Sequence, residues 1–528
     1  MSGIGSLVGR SAWALAVTAL VAGAVAYPQT LPVVAADPVP PLLVDVPAGS
    51  TALVCPGTVR LPTEPEAGED VAYDPAFDTA PVESLASLGV LTARPSRAAP
   101  ASRVQVESVG GDVLAELSPG PAASGGGLDD ADAPVVLRAG ATGELPAWLA
   151  GSAQAITTDG DLQGLAAASC QYPGAESWLV GGSTALGSSA RLSLLNPGVT
   201  AASVTVRVWG PTGPVELAGA EYLVPPHSER VVLLEGVAAE QRRIVVQITA
   251  SGGAVAAYLQ DSLLRGFVSA GIDQVVAGQG PATRQVVPLS VTASAADSLD
   301  VAVLRLLAPG DSPGTVGVDF LGPDGPVELP GTARIAIEAG AVLDVPLGGL
   351  PAGDYVAVVD ADVPIVAGAM LTRGAGVGDT GSPAAPMDRA WAASLATGGE
   401  GPLALPSDAR GVLLLAAVPD DGVSGTAAVT VEAVDDDGAL SARDYQLRSG
   451  STLSIPLGDL LPASGTGTDG EAGEGGDARA DLLGIVVRTS DPRVAWSVVL
   501  LTPDGEMVSV LTPVVPRPAQ PQLAVRVR

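Results

Sequence analysis

Three kinds of side chain in this sequence could do chemistry: one histidine, two cysteines and a large set of carboxylates. His227 sits in Pro225-Pro226-His227-Ser228-Glu229-Arg230 and is the one residue able to serve as base in a Ser-His-Asp arrangement. No G-x-S-x-G elbow accompanies it, so a loop histidine is the plainer reading. The chain holds 57 Asp and Glu against 26 basic residues, all arginine, so a carboxylate pair of the glycosidase type is available by number alone. Most of these acids stand in Gly/Asp turns, where Asp serves the turn itself. Sugar sites also need aromatic platforms, and aromatic residues make up only 3% of the chain.

Metal and phosphate chemistry are poorly served. Asp435-Asp436-Asp437-Gly438 and Asp129-Asp130-Ala131-Asp132 gather oxygen donors of the kind Ca²⁺ takes, but neither has EF-hand spacing, and both read as solvated acidic turns. Two cysteines and one histidine do not fill a zinc shell. A chain without lysine cannot form G-x-x-x-x-G-K-[ST]. No cofactor is expected. A net charge of −31 also argues against a nucleic-acid backbone as partner.

The cysteines acquire meaning from the N-terminus. Arg10 precedes the apolar run Ala12–Ala26, and no further charge occurs before Asp37. This is the outline of an export signal, with Ala24-Val25-Ala26 as a small-x-small cleavage site, or of an uncleaved anchor with the bulk of the chain outside. Either way, residues 1–27 form an apolar helix that puts the rest in an extracytoplasmic space, as a single-pass membrane protein or, if cut after Ala26, a secreted one. Residues 28–50 are Pro-rich and read as a stalk. In that compartment an even count of two, Cys55 and Cys170, suggests one disulfide closing a long loop; two buried free thiols are the alternative.

The elements that would position any site are strands. Ser203–Trp209 and Ala427–Val434 alternate with period two, and turn residues separate such runs. Leu85–Leu91 is the exception and reads as short helical turns. Gly210-Pro-Thr-Gly-Pro-Val-Glu-Leu217 recurs, with one change, at Gly322–Leu329, and Asp437-Gly438 marks a weaker third copy. Each copy closes with a hairpin, at 248–258, 358–369 and 487–498. A degenerate first copy, 104–117, would close at 156–168. Units of this length with about seven strands predict an all-β chain of tandem immunoglobulin-like β-sandwiches behind the N-terminal helix. The divisions are 51–185 (the degenerate first β domain), 186–285, 286–385 and 386–528, the last carrying an acidic Gly-rich insertion near 462–480. Residues 122–133 and 462–480 read as solvated loops by composition.

Cys170-Gln-Tyr-Pro173, Trp178-Leu-Val-Gly-Gly-Ser-Thr184 and Arg191-Leu-Ser-Leu-Leu-Asn-Pro-Gly198, with the earlier Leu53-Val-Cys-Pro-Gly57, resemble an actinobacterial family of uncharacterised envelope proteins, domain of unknown function 5719. The resemblance implies a Cys55–Cys170 pair and an N-terminal membrane segment. It implies no activity. By association it points to envelope glycan, since such genes lie near a membrane glycosyltransferase.

The expected function is therefore a non-enzymatic cell-envelope protein that binds or scaffolds through its sandwiches. Its expected partners are the membrane, through the N-terminal segment, and an envelope protein or glycan. An accessory subunit of a membrane glycosyltransferase or envelope-glycan system is the first alternative. A carboxylate-based hydrolase is the second.

Overall fold

A computed structural model describes residues 48–61, 84–266, 268–292, 302–374, 387–420, 423, 425–462 and 482–517, together with Trp13 and two strands at 42–45 and 522–525. The remainder of the 1–27 segment and most of the 462–480 insertion lie outside the described residues. Among the described residues no helix is long and apolar enough to cross a membrane. Strands β1 (Leu42–Asp45) and β35 (Gln522–Val525) pair antiparallel and belong to a unit separate from 48–519. Part of the segment read as a stalk is thus paired β-structure.

The larger unit is built four times over on one plan. The first sheet pair holds β2 (Thr51–Cys55), β3 (Ser84–Ala93), β4 (Val104–Ser108), β5 (Val113–Leu117), β6 (Ala123–Asp129), β7 (Val135–Ala139), β8 (Trp148–Thr157) and β9 (Gly164–Ser169). The second holds β10 (Glu176–Val180), β11 (Ser188–Asn196), β12 (Ala202–Gly210), β13 (Gly213–Val215), β14 (Glu221–Val224), β15 (Ser228–Leu233), β16 (Val245–Ser251), β17 (Ala256–Arg265) and β18 (Val268–Val275). The third holds β19 (Ala282–Val291), β20 (Val303–Leu307), β21 (Gly314–Gly322), β22 (Gly325–Val327), β23 (Ile335–Ile337), β24 (Leu343–Pro346), β25 (Gly353–Gly374) and β26 (Met387–Ala393). The fourth holds β27 (Gly401–Ala404), β28 (Gly411–Ala417), β29 (Thr426–Asp435), β30 (Leu440–Arg448), β31 (Thr452–Pro456), β32 (Leu482–Arg488), β33 (Val494–Leu501) and β34 (Val508–Leu511).

With β13–β14 and β22–β23 each counted as one interrupted fourth strand, the first, sixth, third and fourth strands of each unit form one sheet, and the fifth, second, seventh and eighth form the other. In the third unit the long β25 serves as both sixth and seventh, crossing from one sheet to the other. The constant-type immunoglobulin sandwich instead places its first, second, fifth and fourth strands together. The unit is a β-sandwich with a different strand order. The strands β10, β19 and β26 fall with the second, third and third units respectively, so the units meet near 170–175, 276–281 and 394–400.

Alternation accounts for the strands. In β12, Ala202, Val204, Val206 and Val208 are buried, while Ser203 and Arg207 face out. The repeated Gly-Pro-x-Gly motif makes a two-residue hairpin turn, with Gly210 opposite Gly213 and Gly322 opposite Gly325. Gly213 and Gly325 take φ of 130° and 126°, a backbone region that favours glycine.

Three local expectations are corrected. Ser84–Ala93 is a central strand between β6 and β8, not helical turns, because its neighbours supply hydrogen bonds on both edges. Residues 123–129 form β6 despite their Gly-rich composition; a Cβ on Gly125 would press within 3.0 Å of Leu483 of the fourth sandwich, so small residues permit that approach. The closing segments read as hairpins at 248–258, 358–369 and 487–498 instead carry the chain from the sixth strand in one sheet to the seventh in the other; β7–β8 is the equivalent in the first unit, whereas 156–168 is a true hairpin joining β8 to β9.

Each sandwich has its own core, and four further apolar seams join them in sequence. Tyr258 and Leu195 meet Val54 and Val136 between the first and second. Trp178 and Trp209, stacked with centroids 5.3 Å apart, meet Leu307 and Val366 between the second and third. Val286 and Val358 meet Leu414 and Ala495 between the third and fourth. Trp148 and Leu91 meet Ala404 and Val486 between the fourth and the first. The last seam closes the four sandwiches into a ring.

Candidate functional site

The eighth strand of each sandwich, β9, β18, β26 and β34, runs at the centre of this ring, and each packs against the next. These strands also serve neighbouring cores. Trp391 of β26 enters the core of the second sandwich, Val508 and Val510 of β34 that of the third, and Leu165 and Ala167 of β9 that of the fourth. A closed centre of this kind leaves main-chain N–H groups with no neighbouring strand in register, and buried donors need acceptors.

Two aspartates supply them. Asp388 of β26, in the third sandwich, accepts from Leu165 N–H of the first at 3.1 Å and from Val508 N–H of the fourth at 2.9 Å, both on Oδ2. Its Oδ1 accepts from Ile272 N–H of the second at 3.4 Å. Asp273 of β18, in the second sandwich, accepts Trp391 N–H of the third on Oδ2 at 2.6 Å. Its Oδ1 lies 2.8 Å from Ser509 Oγ of the fourth and 3.4 Å from Ala167 N of the first. Each carboxyl therefore bonds to all three sandwiches that do not carry it. Both side chains are buried, at 1% and 3% exposure for Asp273 and Asp388.

Burial disfavours charge at both positions. It pushes the Asp388 carboxyl up to about 7, against the opposing pull of its main-chain N–H donors. It pushes Asp273 well above the ordinary carboxylate range, and the neighbouring Asp388 adds to the rise. Two glycines make room. A Cβ on Gly164 would lie 2.5 Å from Asp388 Oδ1, and one on Gly271 would lie 2.5 Å from Arg389 N.

A second buried cluster adjoins this pair. Asp261 Oδ2 accepts the Trp391 indole N–H at 2.7 Å and pairs with Arg389 Nη2 at 2.7 Å. The guanidinium of Arg305 lies 4.6 Å over the Trp391 ring, holds Asp344 through Nε and Nη2, and donates to the carbonyls of Gly182 and Ile244. Burial lowers the Arg389 pKa, while the Asp261 charge raises it. Arginine repeats this role elsewhere. Arg138 pairs with Glu107 and reaches Pro197 O, and Arg488 pairs with Glu432, covers Trp148 and reaches Arg94 O.

The residues singled out in the sequence lie elsewhere. Cys55 and Cys170 form a disulfide with S–S 2.01 Å, inside the first sandwich at its border with the second. Tyr258 of the second sandwich donates to Val54 O and accepts Gln171 N–H, each one residue from a cysteine. His227 occupies a turn between β14 and β15 with φ of 52°. Asp435 holds its turn by accepting Ala439 N–H at 2.7 Å. A depression of about 660 Å³ on the fourth sandwich is lined by Glu400, Thr430, Asp444, Tyr445 and Arg488, among others. Its side chains are largely engaged: Asp444 accepts the Thr430 hydroxyl, Tyr445 packs on the core, and Arg488 is paired as above. Sequence reasoning missed Asp273 and Asp388. Both acids stand in mixed strands, Ala270-Gly-Ile-Asp-Gln-Val275 and Met387-Asp-Arg-Ala-Trp391, with Gln274 and Arg389 beside them, so no local pattern marks them.

A family model described as "Family of unknown function (DUF5719)" matches residues 126–458. The chain belongs to this family. The matched span includes Cys170, Asp273 and Asp388 and excludes Cys55 and Ser509. No curated protein matches the chain. Among solved structures, one described as "Biofilm associated protein - BSP domain" is similar at 9% identity and a TM-score of 0.12, over 93% of this chain and 100% of that one. A score that low carries no argument.

Proposed function

We propose that this DUF5719 protein is a non-enzymatic scaffold or binding body of the cell envelope. Residues 1–27 hold it at the membrane, and its four sandwiches lie outside, toward an envelope protein or glycan. The observation that carries the reading is the use made of its most reactive groups. Asp273, Asp388, Asp261 and both cysteines, the side chains best suited to catalysis or ligation, are buried and bonded to other parts of the same chain. Such groups give a ring of sandwiches its rigidity and leave the acidic outer faces for contact. The disulfide agrees with an oxidising compartment.

Cell fractionation with protease added to intact cells tests this. The protein is expected in the membrane or secreted fraction and open to external protease. Recovery in the cytosol, protected until lysis, would overturn the proposal.

A further inference from the structure

The two axial aspartates differ in what surrounds their oxygens, and this difference assigns their protons. Asp388 meets only donors: Ile272 N–H on one oxygen, Leu165 N–H and Val508 N–H on the other. A carboxylate suits that setting, since ionised oxygens only accept. Asp273 is different. Its Oδ2 accepts Trp391 N–H; its Oδ1 has a long contact from Ala167 N–H at 3.4 Å but faces the hydroxyl of Ser509 much closer, at 2.8 Å. Ser509 has a second acceptor within reach, Ala167 O at 3.3 Å, and itself lies 3.0 Å from Ala167 N–H. One hydroxyl carries one proton. If Asp273 is ionised, Ser509 must donate to it and Ala167 O loses that bond. If Asp273 is protonated, it donates to Ser509 Oγ, Ser509 donates to Ala167 O, and every oxygen in the chain of bonds is used.

We infer that Asp273 is held as the neutral acid, with its proton on Oδ1 and given to Ser509, and that this proton acts as a latch on the ring axis. Like charges in one dry site cannot both form easily, so Asp388, once ionised above about pH 7, helps to retain it. The other charged groups packed nearby are Asp261 and Arg265 on β17, Arg389 on β26 and Arg305 on β20. Asp261 stands opposite Asp273 in register but is paired with Arg389. The strands β9 and β34 bring no titratable side chain. Loss of the Asp273 proton to bulk water at alkaline pH leaves two carboxylates at the axis and turns the Ser509 hydroxyl away from Ala167 O. Both changes loosen the junction of all four sandwiches. The direction of the Asp273 shift agrees with this assignment.

The test is Asp273→Asn in the full chain, which replaces the acid O–H by an amide N–H facing Ser509. A group whose folded pKa lies above its unfolded value loses its stabilising contribution as pH rises. The melting temperature of the variant minus that of the wild type is therefore expected to rise as pH increases above about 4. A difference that stays flat or falls would overturn the assignment. Infrared spectroscopy of the wild type needs no variant: at neutral pH it should show the carbonyl band of a protonated carboxylic acid, shifting on exchange into D₂O. Absence of that band would equally overturn it. Asp388, which titrates at about 7, adds its own part to that band at neutral pH. The deciding comparison is therefore with Asp273→Asn: the band should shrink in the variant, and a band left undiminished would place the proton on another residue and count against the assignment.

Discussion

The phenol of Tyr258 in the second sandwich donates to the main-chain carbonyl of Val54 in the first at 2.6 Å, one residue from Cys55. The same oxygen accepts Gln171 N–H at 2.8 Å, one residue from Cys170. A single hydroxyl thus spans both segments that the disulfide joins, and burial raises its pKa far above that of a free phenol. Tyr258→Phe keeps the ring in the seam and removes only the hydroxyl. Gln171 N–H and Val54 O still bond to each other at 2.9 Å or less, which softens the loss. The expected cost is about 0.5–1.5 kcal/mol, the net worth of a hydrogen bond whose partners still find each other. Urea denaturation would show it as a lower midpoint with an unchanged slope.

The disulfide closes a separation of 115 residues. Replacing both cysteines with alanine is expected to cost up to about 4–5 kcal/mol, the chain-entropy figure for a loop of that length. Reduction of the wild type should lower its melting temperature by a similar shift, while the double variant should not respond to reductant. Gly151 belongs to the same unit. A Cβ there would lie 2.6 Å from the Cys170 sulfur, so Gly151→Ala should impair pairing and raise the free-thiol count by maleimide labelling.

Some of this was legible in the sequence. The alternation of Val204, Val206 and Val208 and the repeated Gly210 and Gly322 turns locate strands and hairpins, because a half-buried strand leaves a period-two trace. Composition misled at Gly125–Gly127, where glycine reflects close approach of another sandwich, not a solvated loop. The axis was not legible at all. Leu165, Ile272, Asp388 and Val508 lie more than 100 residues apart in sequence and meet only because the ring closes. Nothing local to Met387-Asp-Arg-Ala-Trp391 says that three other sandwiches will bond to that acid. The diagonal pairs Arg138–Glu107 and Arg488–Glu432 occupy the same register between third and sixth strands, so aligning the copies strand by strand would have found them.

Arg305 offers a sharper separation of charge from shape. Its guanidinium binds Asp344 with two nitrogens, reaches two carbonyls across the second seam and stacks over Trp391. Lysine carries the same charge but cannot fork. Arg305→Lys should therefore cost about 2–4 kcal/mol, close to the effect of breaking a buried pair. Loss of the Trp391 environment should appear as a change in tryptophan fluorescence. A variant as stable as the wild type would show that charge alone suffices.

Asp388 carries a pH dependence of definite sign. Its folded carboxyl titrates at about 7, above the ordinary value near 3.8. Between those values the native state binds the proton more tightly than the unfolded chain, so stability falls as pH rises, and the effect levels off once the carboxyl is ionised in both states. Its contribution is full below about pH 4 and lost through about pH 7. Asp388→Asn removes the titration but keeps one oxygen to accept, so the variant's stability should decline less than the wild type's across that window. Asp388→Ala keeps neither oxygen. It strands Leu165, Ile272 and Val508 N–H in a dry centre, at about 1–3 kcal/mol for each unsatisfied donor. That variant should be the less stable of the two at every pH, with amide hydrogen exchange accelerating first at those three residues. Exchange that quickens instead at the outer strands, leaving the three amides protected, would remove Asp388 from its place at the junction.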